Sequence, residues 1–293
     1  MAFSIGSEPQ GRVAPCSATG ECAAGVELLV AASREREGLD GTLHLEPPGP
    51  LAGETNQFCC SEDGVVLGVV TLSSGAHVEL LALVHPDHRR KGIGRALLEA
   101  ARAECRRRGL GRVLMVSEES SCAGPSFAQV TGGRYRFSEH LMEVEPATAS
   151  LPSAPLEESM TLREADAGDS KRLSHLFSVC FDDPEERRLE QISTWLRDPE
   201  QRIYVGWLEG QAIAVLRAAS NGATADLNTF GVHPAFRGRG LGRQMLESVL
   251  RGLLGEGETV RIEVQTDNDK ALSLYLSCGF RTITTYRYYE LRT

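Results

Sequence analysis

Apolar and polar positions alternate with two different periods along this chain, and the same succession of periods occurs twice. In the second half, Arg202–Leu208 and Gln211–Ala218 read as strands joined through Glu209–Gly210. In the first half, Asn56–Cys60 and Val65–Leu72 read the same way across Ser61–Gly64, where Glu-Asp-Gly supplies turn chemistry. A further strand follows in each half, His77–Val84 and Ala225–Val232. Pro86 and Pro234 end these strands, because proline has no N–H to give to a ladder. Then the period lengthens. Ile93, Leu97, Leu98, Ala101 and Cys105 recur at helical spacing, as do Leu241, Met245, Leu246, Val249, Leu250 and Leu253. Gly109 and Gly252 or Gly255 are the expected stops. Strands at Arg112–Val116 and Val260–Gln265 come next, and Tyr135–His140 is expected to close the first sheet. Strands alternating with helices predict an α/β or α+β class.

The succession is a sequence repeat as well. The segment VHPDHRRKGIGRALLEA from Val84 and VHPAFRGRGLGRQMLES from Val232 share nine of seventeen positions at an offset of 148 residues. Two copies at that period predict two domains rather than a solenoid, and 293 residues suffice for two cores. The division expected is residues 1–146, a Pro/Ser/Ala-rich linker at 147–159, and residues 160–293.

Composition narrows the partners. A net charge of −9 argues against a nucleic-acid binder and fits a cationic or neutral small acceptor. No apolar run is long enough for a bilayer, so no membrane partner is expected. The opening MAFSIGSEPQGRVAPCSATGE has neither a basic region nor a continuous apolar one, which points to a cytoplasmic protein. The eight cysteines include no C-x-x-C pair and no histidine at zinc-finger spacing, so they read as buried reduced thiols, and no metal site is expected.

The glycine segment carries the candidate chemistry. In Arg237-Gly238-Arg239-Gly240-Leu241-Gly242-Arg243, glycines let the backbone turn and approach a ligand closely. Their N–H groups, with a helix N-terminus, form an anion site, and the arginines add charge for a phosphate-rich ligand. Arg89-Arg90-Lys91-Gly92-Ile93-Gly94-Arg95 offers the same equipment. The nucleoside-triphosphate pattern G-x-x-x-x-G-K-[ST] is absent. The dinucleotide pattern G-x-G-x-x-G also fails, and no acidic residue stands at ribose-binding spacing.

Arg89-x-x-Gly92-x-Gly94 and Arg237-x-x-Gly240-x-Gly242, each after a V-x-P strand end, resemble the acyl-CoA motif of the GNAT superfamily of N-acyltransferases. Asn268-Asp269-Lys270-Ala271-Leu272-Ser273-Leu274-Tyr275, continuing to Gly279-Phe280, is similar to that family's N-x-x-A-x-x-[LF]-Y-x-x-x-G-F segment. The tandem layout is similar to that of mycothiol synthase-like tandem acetyltransferases, while the acceptor-side residues depart from them. The resemblance implies two GNAT-like domains, each a mixed, mostly antiparallel sheet flanked by helices, with splayed central strands admitting a pantetheine arm. It also implies acetyl-CoA, or another acyl-CoA, as acyl donor. The glycine loops would hold the pyrophosphate, Leu83–Val84 and Gly231–Val232 would pair with the arm, and Asn268 would help hold it.

Acylating an amine requires removing its proton, stabilising an oxyanion and protonating the leaving thiolate. By resemblance, Tyr275 would be the general acid and the Val232 amide the oxyanion donor; alternatively Tyr275 is a core aromatic of a short amphipathic helix. Asp226 is the candidate base, with Glu79 the acid on the first copy's strand and Glu263 another possibility; a solvated acid is the alternative for Asp226. Glu79 and Asp226 differ by one residue in their distance from the repeated valine, so in plain strands they would face opposite sides unless a bulge intervenes. His85 and His233, beside proline, read as turn residues. The first half has neither the Asn nor the Tyr: Phe127 stands near the tyrosine's place. The expectation is therefore a degenerate first domain and a second one that acetylates a primary amine of a small molecule. A protein or peptide amine, or a non-catalytic acyl-CoA sensor, are the alternatives. The chain would act as a monomer, its domains a pseudo-dimer, or as a homodimer.

Overall fold

A computed structural model describes residues 10–16, 21–39, 55–73, 78–149, 151 and 160–293. Most of the expected linker, and positions 1–9 of the opening segment, lie outside these. The chain forms two compact units, residues 1–139 with 284–293, and residues 140–283. Both mix helices with a largely antiparallel sheet.

The first unit begins with β1 (Arg12–Pro15) and α1 (Glu21–Glu37), neither legible from periodicity. Gly25 lets α1 lie close on the sheet: a Cβ there would meet Val66 Cγ2 at 2.5 Å. Next come β2 (Gln57–Glu62), β3 (Val65–Leu72), β4 (Glu79–Val84), α2 (Ile93–Arg107), β5 (Arg112–Glu118), α3 (Gly124–Val130) and β6 (Arg134–Val144). The apolar face of α2 meets the sheet through Ile93, Leu97, Leu98, Ala101 and Cys105, all at most 1% exposed. Glu104, beside them, accepts from Arg107, Arg108 and the Thr55 amide. The Arg107 hydrogen bond is the main reason its carboxyl is drawn down to about 2, against the opposing effect of burial.

The second unit contains β7 (Thr161–Glu164), α4 (Ser170–Phe181), α5 (Glu185–Trp195), β8 (Gln201–Leu208), β9 (Gln211–Ser220), β10 (Thr224–Val232), α6 (Leu241–Gly255), β11 (Thr259–Gln265) and α7 (Asp269–Ser277). Gly252 lies within α6, which continues to Gly255, whereas α2 ends before Gly109 at φ 73°. Ile213, Leu216, Leu227, Met245, Leu250 and Ile262 form the core between sheet and α6. Leu173, Phe177, Ile203 and Val215 form the one under α4 and α5.

Each sheet is completed by a strand from the other half of the sequence. In the first unit, β5 pairs antiparallel with the end of β12 (Arg281–Arg292), Glu118 opposite Tyr286 and Arg112 opposite Arg292. That strand buries Tyr286, Tyr288, Tyr289 and Leu291 almost completely. Residues 134–139 of β6, expected to close this sheet, lie beyond β12. In the second unit, β11 is flanked by residues 140–144 of β6, and Arg261 donates to Glu143 at 2.8 Å.

Candidate active site

In both units the central parallel strand pair opens. β10 and β11 are in register only from Thr224–Thr259 to Leu227–Ile262, although β10 runs on to Val232 and β11 to Gln265. β4 and β5 likewise pair from Glu79–Leu114 to Leu81–Val116, and β4 continues to Val84. The free edge left by this parting carries backbone donors. His233 N–H donates to Ile213 O of β9 at 2.8 Å, so the Val232 N–H, one residue back, faces the opened side. His85 N–H donates to Leu67 O, which puts the Val84 N–H in the same position.

Beyond each strand end the chain makes one 3₁₀ turn, Pro86–His88 or Pro234–Phe236, and enters a helix. His85 and His233 each accept, through Nδ1, a backbone N–H two residues on, from Asp87 at 3.3 Å and Ala235 at 3.2 Å. Both are turn residues. Gly92 and Gly240 cap α2 and α6 at φ 83° and 78°, a left-handed conformation that glycine adopts without strain. The first-turn amides of each helix, at Ile93, Gly94 and Arg95 and at Leu241, Gly242 and Arg243, have no acceptor within the helix and are groups that could receive an anion. Ile93 and Leu241 bury their side chains at 1% exposure, which fixes that turn on the core. The helix start lies beside the strand end: a Cβ at Gly242 would lie 3.4 Å from Val232 Cγ2, and one at Gly94 3.7 Å from Val84 Cγ2, ordinary contact distances that leave room for a small side chain.

The basic side chains of the motif divide into two groups. Arg237 Nε donates to Val232 O at 2.8 Å and its terminal nitrogen to Cys180 O at 3.3 Å. Arg89 Nε donates to Val84 O, and its guanidinium pairs with Glu37 at the end of α1. These first arginines brace the strand end. Arg239 lies over Phe236, 5.2 Å from the ring centroid, and Arg243 approaches Glu247 at 3.6 Å. Lys91 holds Gln10 through its carbonyl. Arg90 has φ 64° where the second copy places Gly238 at φ 80°. On the strand itself, Leu83 pairs with Val69, while Gly231 is packed so closely on α4 that a Cβ would meet Phe181 Cζ at 2.7 Å.

A feature that sequence reasoning allowed for without placing is a bulge in β10. Asn228 pairs with Arg217 and Gly231 with Val215, so three steps on β10 match two on β9. Within it Thr229 has φ 51°, unusual for a β-branched residue. The extra residue restores side-chain parity. Asp226 lies opposite Arg261, and Glu79 opposite Leu114, each partner being third in a seven-residue strand. Asp226 and Glu79 thus occupy equivalent positions. Ala225 and Leu227 belong to the core under α6, so Asp226 and Asn228 face the α4–α5 side. Glu263 faces that side too, since Ile262 and Val264 belong to the α6 core; it stands one residue past the last parallel pair. Arg217 is also there, over Trp195 at 4.4 Å from the ring centroid.

On the opposite side, Asn268 caps α7, its Oδ1 accepting from Ala271 N–H at 3.2 Å. Tyr275, 6% exposed, packs in the core that also takes Leu241, Phe230 and Val232. Its ring centroid is 5.8 Å from that of Phe280. Burial pushes its phenol up to about 12, so the hydroxyl keeps its proton throughout the neutral range. In the first unit, Phe127 occupies the tyrosine's place at the same 148-residue offset and approaches Gly94. There α3 starts only at Gly124, with Ser121 Oγ accepting the Gly124 N–H.

A parted parallel strand pair ending on a glycine-capped helix, built twice, is the architecture of a tandem N-acyltransferase. The chain matches the acetyltransferase (GNAT) family over residues 28–123 and again over 170–280, and it belongs to that family. It is similar to the mycothiol acetyltransferase of Clavibacter sepedonicus, 28% identical over 80% of this chain and 79% of that protein. It is also similar to the N-alpha-acetyltransferase RimI of Mycobacterium tuberculosis, 32% identical over 45% of this chain and 85% of that protein. Among solved structures, a GCN5-related N-acetyltransferase from Sphaerobacter thermophilus has the same fold, with a TM-score of 0.76 at 19% identity over 92% of this chain and 91% of that one. A tandem GNAT protein from the clavulanic acid biosynthesis pathway gives 0.68 at 20% identity over 96% and 98%. The protein is thus an acetyltransferase-family enzyme, and members of this family use acetyl-CoA or another acyl-CoA. Among the described residues, no helix is long and apolar enough to cross a membrane.

Proposed function

We propose that the protein transfers an acetyl group from acetyl-CoA to a primary amine of a small molecule, with the chemistry in the second unit. The carrying observation is the contrast between two matching cradles: Tyr275 stands in one and Phe127 in the other. Phenylalanine has no proton to give. Acetyl-CoA brings the activated thioester; the chain's own groups do the rest. The α6 first-turn amides and the Val232 N–H donate hydrogen bonds, Tyr275 holds a proton for the departing sulfur, and Asp226, with Glu263 nearby on the same face, accepts the amine's proton directly or through water. The first unit binds the donor without turning it over.

A small-molecule acceptor is favoured by the match to a mycothiol acetyltransferase, which runs over four-fifths of this chain, whereas that to RimI covers under half. Release of free CoA thiol from acetyl-CoA against a panel of small amines tests this, with protein N-terminal peptides as a second arm. Turnover of small amines by the intact chain is expected. Binding of acetyl-CoA with no turnover in either arm would replace the enzyme reading by a sensor, and turnover of peptides alone would replace the acceptor class.

A further inference from the structure

Away from the acyl-transfer site, three cysteines distant in sequence meet at the start of α1. Cys16 follows β1, and its N–H donates to Gln57 O of β2 at 2.9 Å. Cys22 lies in the first turn of α1 and is joined to Cys16 by a disulfide, with Cα atoms 6.1 Å apart. Cys59, on β2, puts its sulfur 3.3 Å from that of Cys22. All three sulfurs lie within 4.8 Å of one another. This corrects the reading of the cysteines as uniformly reduced thiols; Cys122 departs from it as well, being exposed.

Cys60 shows that the arrangement is selective. It alternates to the opposite face of β2, joins the α2 core and donates to Gln10 O at 3.3 Å, so of this adjacent pair only Cys59 faces α1. Around Cys59 the surroundings are dry. It is 5% exposed, and burial pushes its thiol up to about 12. An isolated thiol there is a poor nucleophile, but a soft cation displaces thiol protons outright. The positive end of α1 adds stabilisation for the sulfur charge.

We propose that Cys16, Cys22 and Cys59 form a three-thiolate site for a thiophilic d10 cation, Zn2+ or Cu+, available when the Cys16–Cys22 bond is reduced. Three sulfur donors suit trigonal Cu+, while Zn2+ would take a fourth ligand from solvent past the half-exposed Cys16 and Cys22. The steps balance. A dithiol reductant gives two electrons and two protons to the disulfide and becomes a disulfide itself. The cation then replaces three thiol protons, which pass to solvent. Metal binding and the Cys16–Cys22 bond exclude each other.

The test uses the full-length chain, reduced and freed of reductant under anaerobic conditions, titrated in separate arms with Zn2+ and with Cu+. One ion per chain is expected in at least one arm, which then identifies the cation. Co2+ as a probe is expected to give a thiolate charge-transfer band. Unreduced protein should bind neither. Alkylation followed by mass spectrometry should show the bound ion protecting Cys16 and Cys22 but not Cys122, the buried Cys59 being unreactive with or without the ion. Cys59→Ser should weaken binding about 100-fold or more, and Cys122→Ser should leave it unchanged. If Cys59→Ser does not fold, Cys22→Ser and the protection pattern of the wild type carry the same reading. Absence of stoichiometric binding by the reduced chain, or wild-type affinity in a folded Cys59→Ser or Cys22→Ser variant, would overturn the proposal. No readout depends on acetyl transfer.

Discussion

Replacing Tyr275 by phenylalanine removes one oxygen and leaves the ring in place, which makes it the sharpest probe of the assigned chemistry. The ring is 6% exposed and packs near Phe280, contacts that phenylalanine keeps, so stability should change by no more than about 1 kcal/mol. The catalytic effect follows from two acidities. Burial raises the phenol to about 12, well above the roughly 8.5 of a thiol such as the departing one, so full proton transfer is uphill. The hydroxyl therefore acts chiefly as a hydrogen-bond donor to sulfur as its charge develops. That places its contribution at the lower end of the general-acid range, a fall in kcat of about 100-fold, equivalent to roughly 2.7 kcal/mol. The assay is CoA thiol release with the fastest amine of the panel, alongside calorimetric titration with acetyl-CoA and a thermal melt. Acetyl-CoA affinity and Tm should be nearly unchanged while kcat drops. The same raised phenol gives a pH signature: the wild type should show no alkaline loss of kcat attributable to this group up to about pH 10. A variant that keeps kcat within about twofold, with its fold intact, would refute the role and leave Tyr275 a core aromatic.

Gly240→Ala should cost about 1–2 kcal/mol in urea denaturation, because φ 78° forces a Cβ into the left-handed region, and it should weaken acetyl-CoA binding through the displaced helix start. Unchanged affinity would mean that the α6 amides do not hold the donor. Glu104→Gln tests the link between α2 and the entry to β2. With a carboxyl drawn from 4.5 to about 2, the stabilisation is fully present above about pH 4.5 and is lost as pH falls toward 2. The variant should therefore be less stable by about 1–3 kcal/mol at neutral pH and show a flatter stability profile below pH 5. Parallel profiles for both proteins would contradict the ion pairing.

Much of the site was legible because its determinants are local. A glycine at a left-handed cap, a proline after a strand, an asparagine at a helix start and a helical apolar period each constrain their own few residues. The repeat of those signals at a constant offset located both cradles and exposed the exchange of Tyr275 for Phe127. Other features depend on which distant segments meet. Backbone hydrogen bonds are nearly blind to side-chain identity, so nothing in residues 284–292 announced that they would pair with β5. The bulge at Thr229, which gives Asp226 the same face as Glu79, appears only once β10 is matched to β9. The first arginine of each motif looked like a phosphate ligand, yet in three dimensions each donates to its own strand's carbonyl, and Arg89 also pairs with Glu37. Cys16, Cys22 and Cys59 share no spacing rule, and only the packing of α1 on the sheet brings their sulfurs together. Local sterics and capping are written in neighbouring residues, so the sequence by itself determined the two cradles and the family. Strand partners, side-chain parity and long-range sulfur contacts arise from chain closure over tens of residues, and only the tertiary structure decided them.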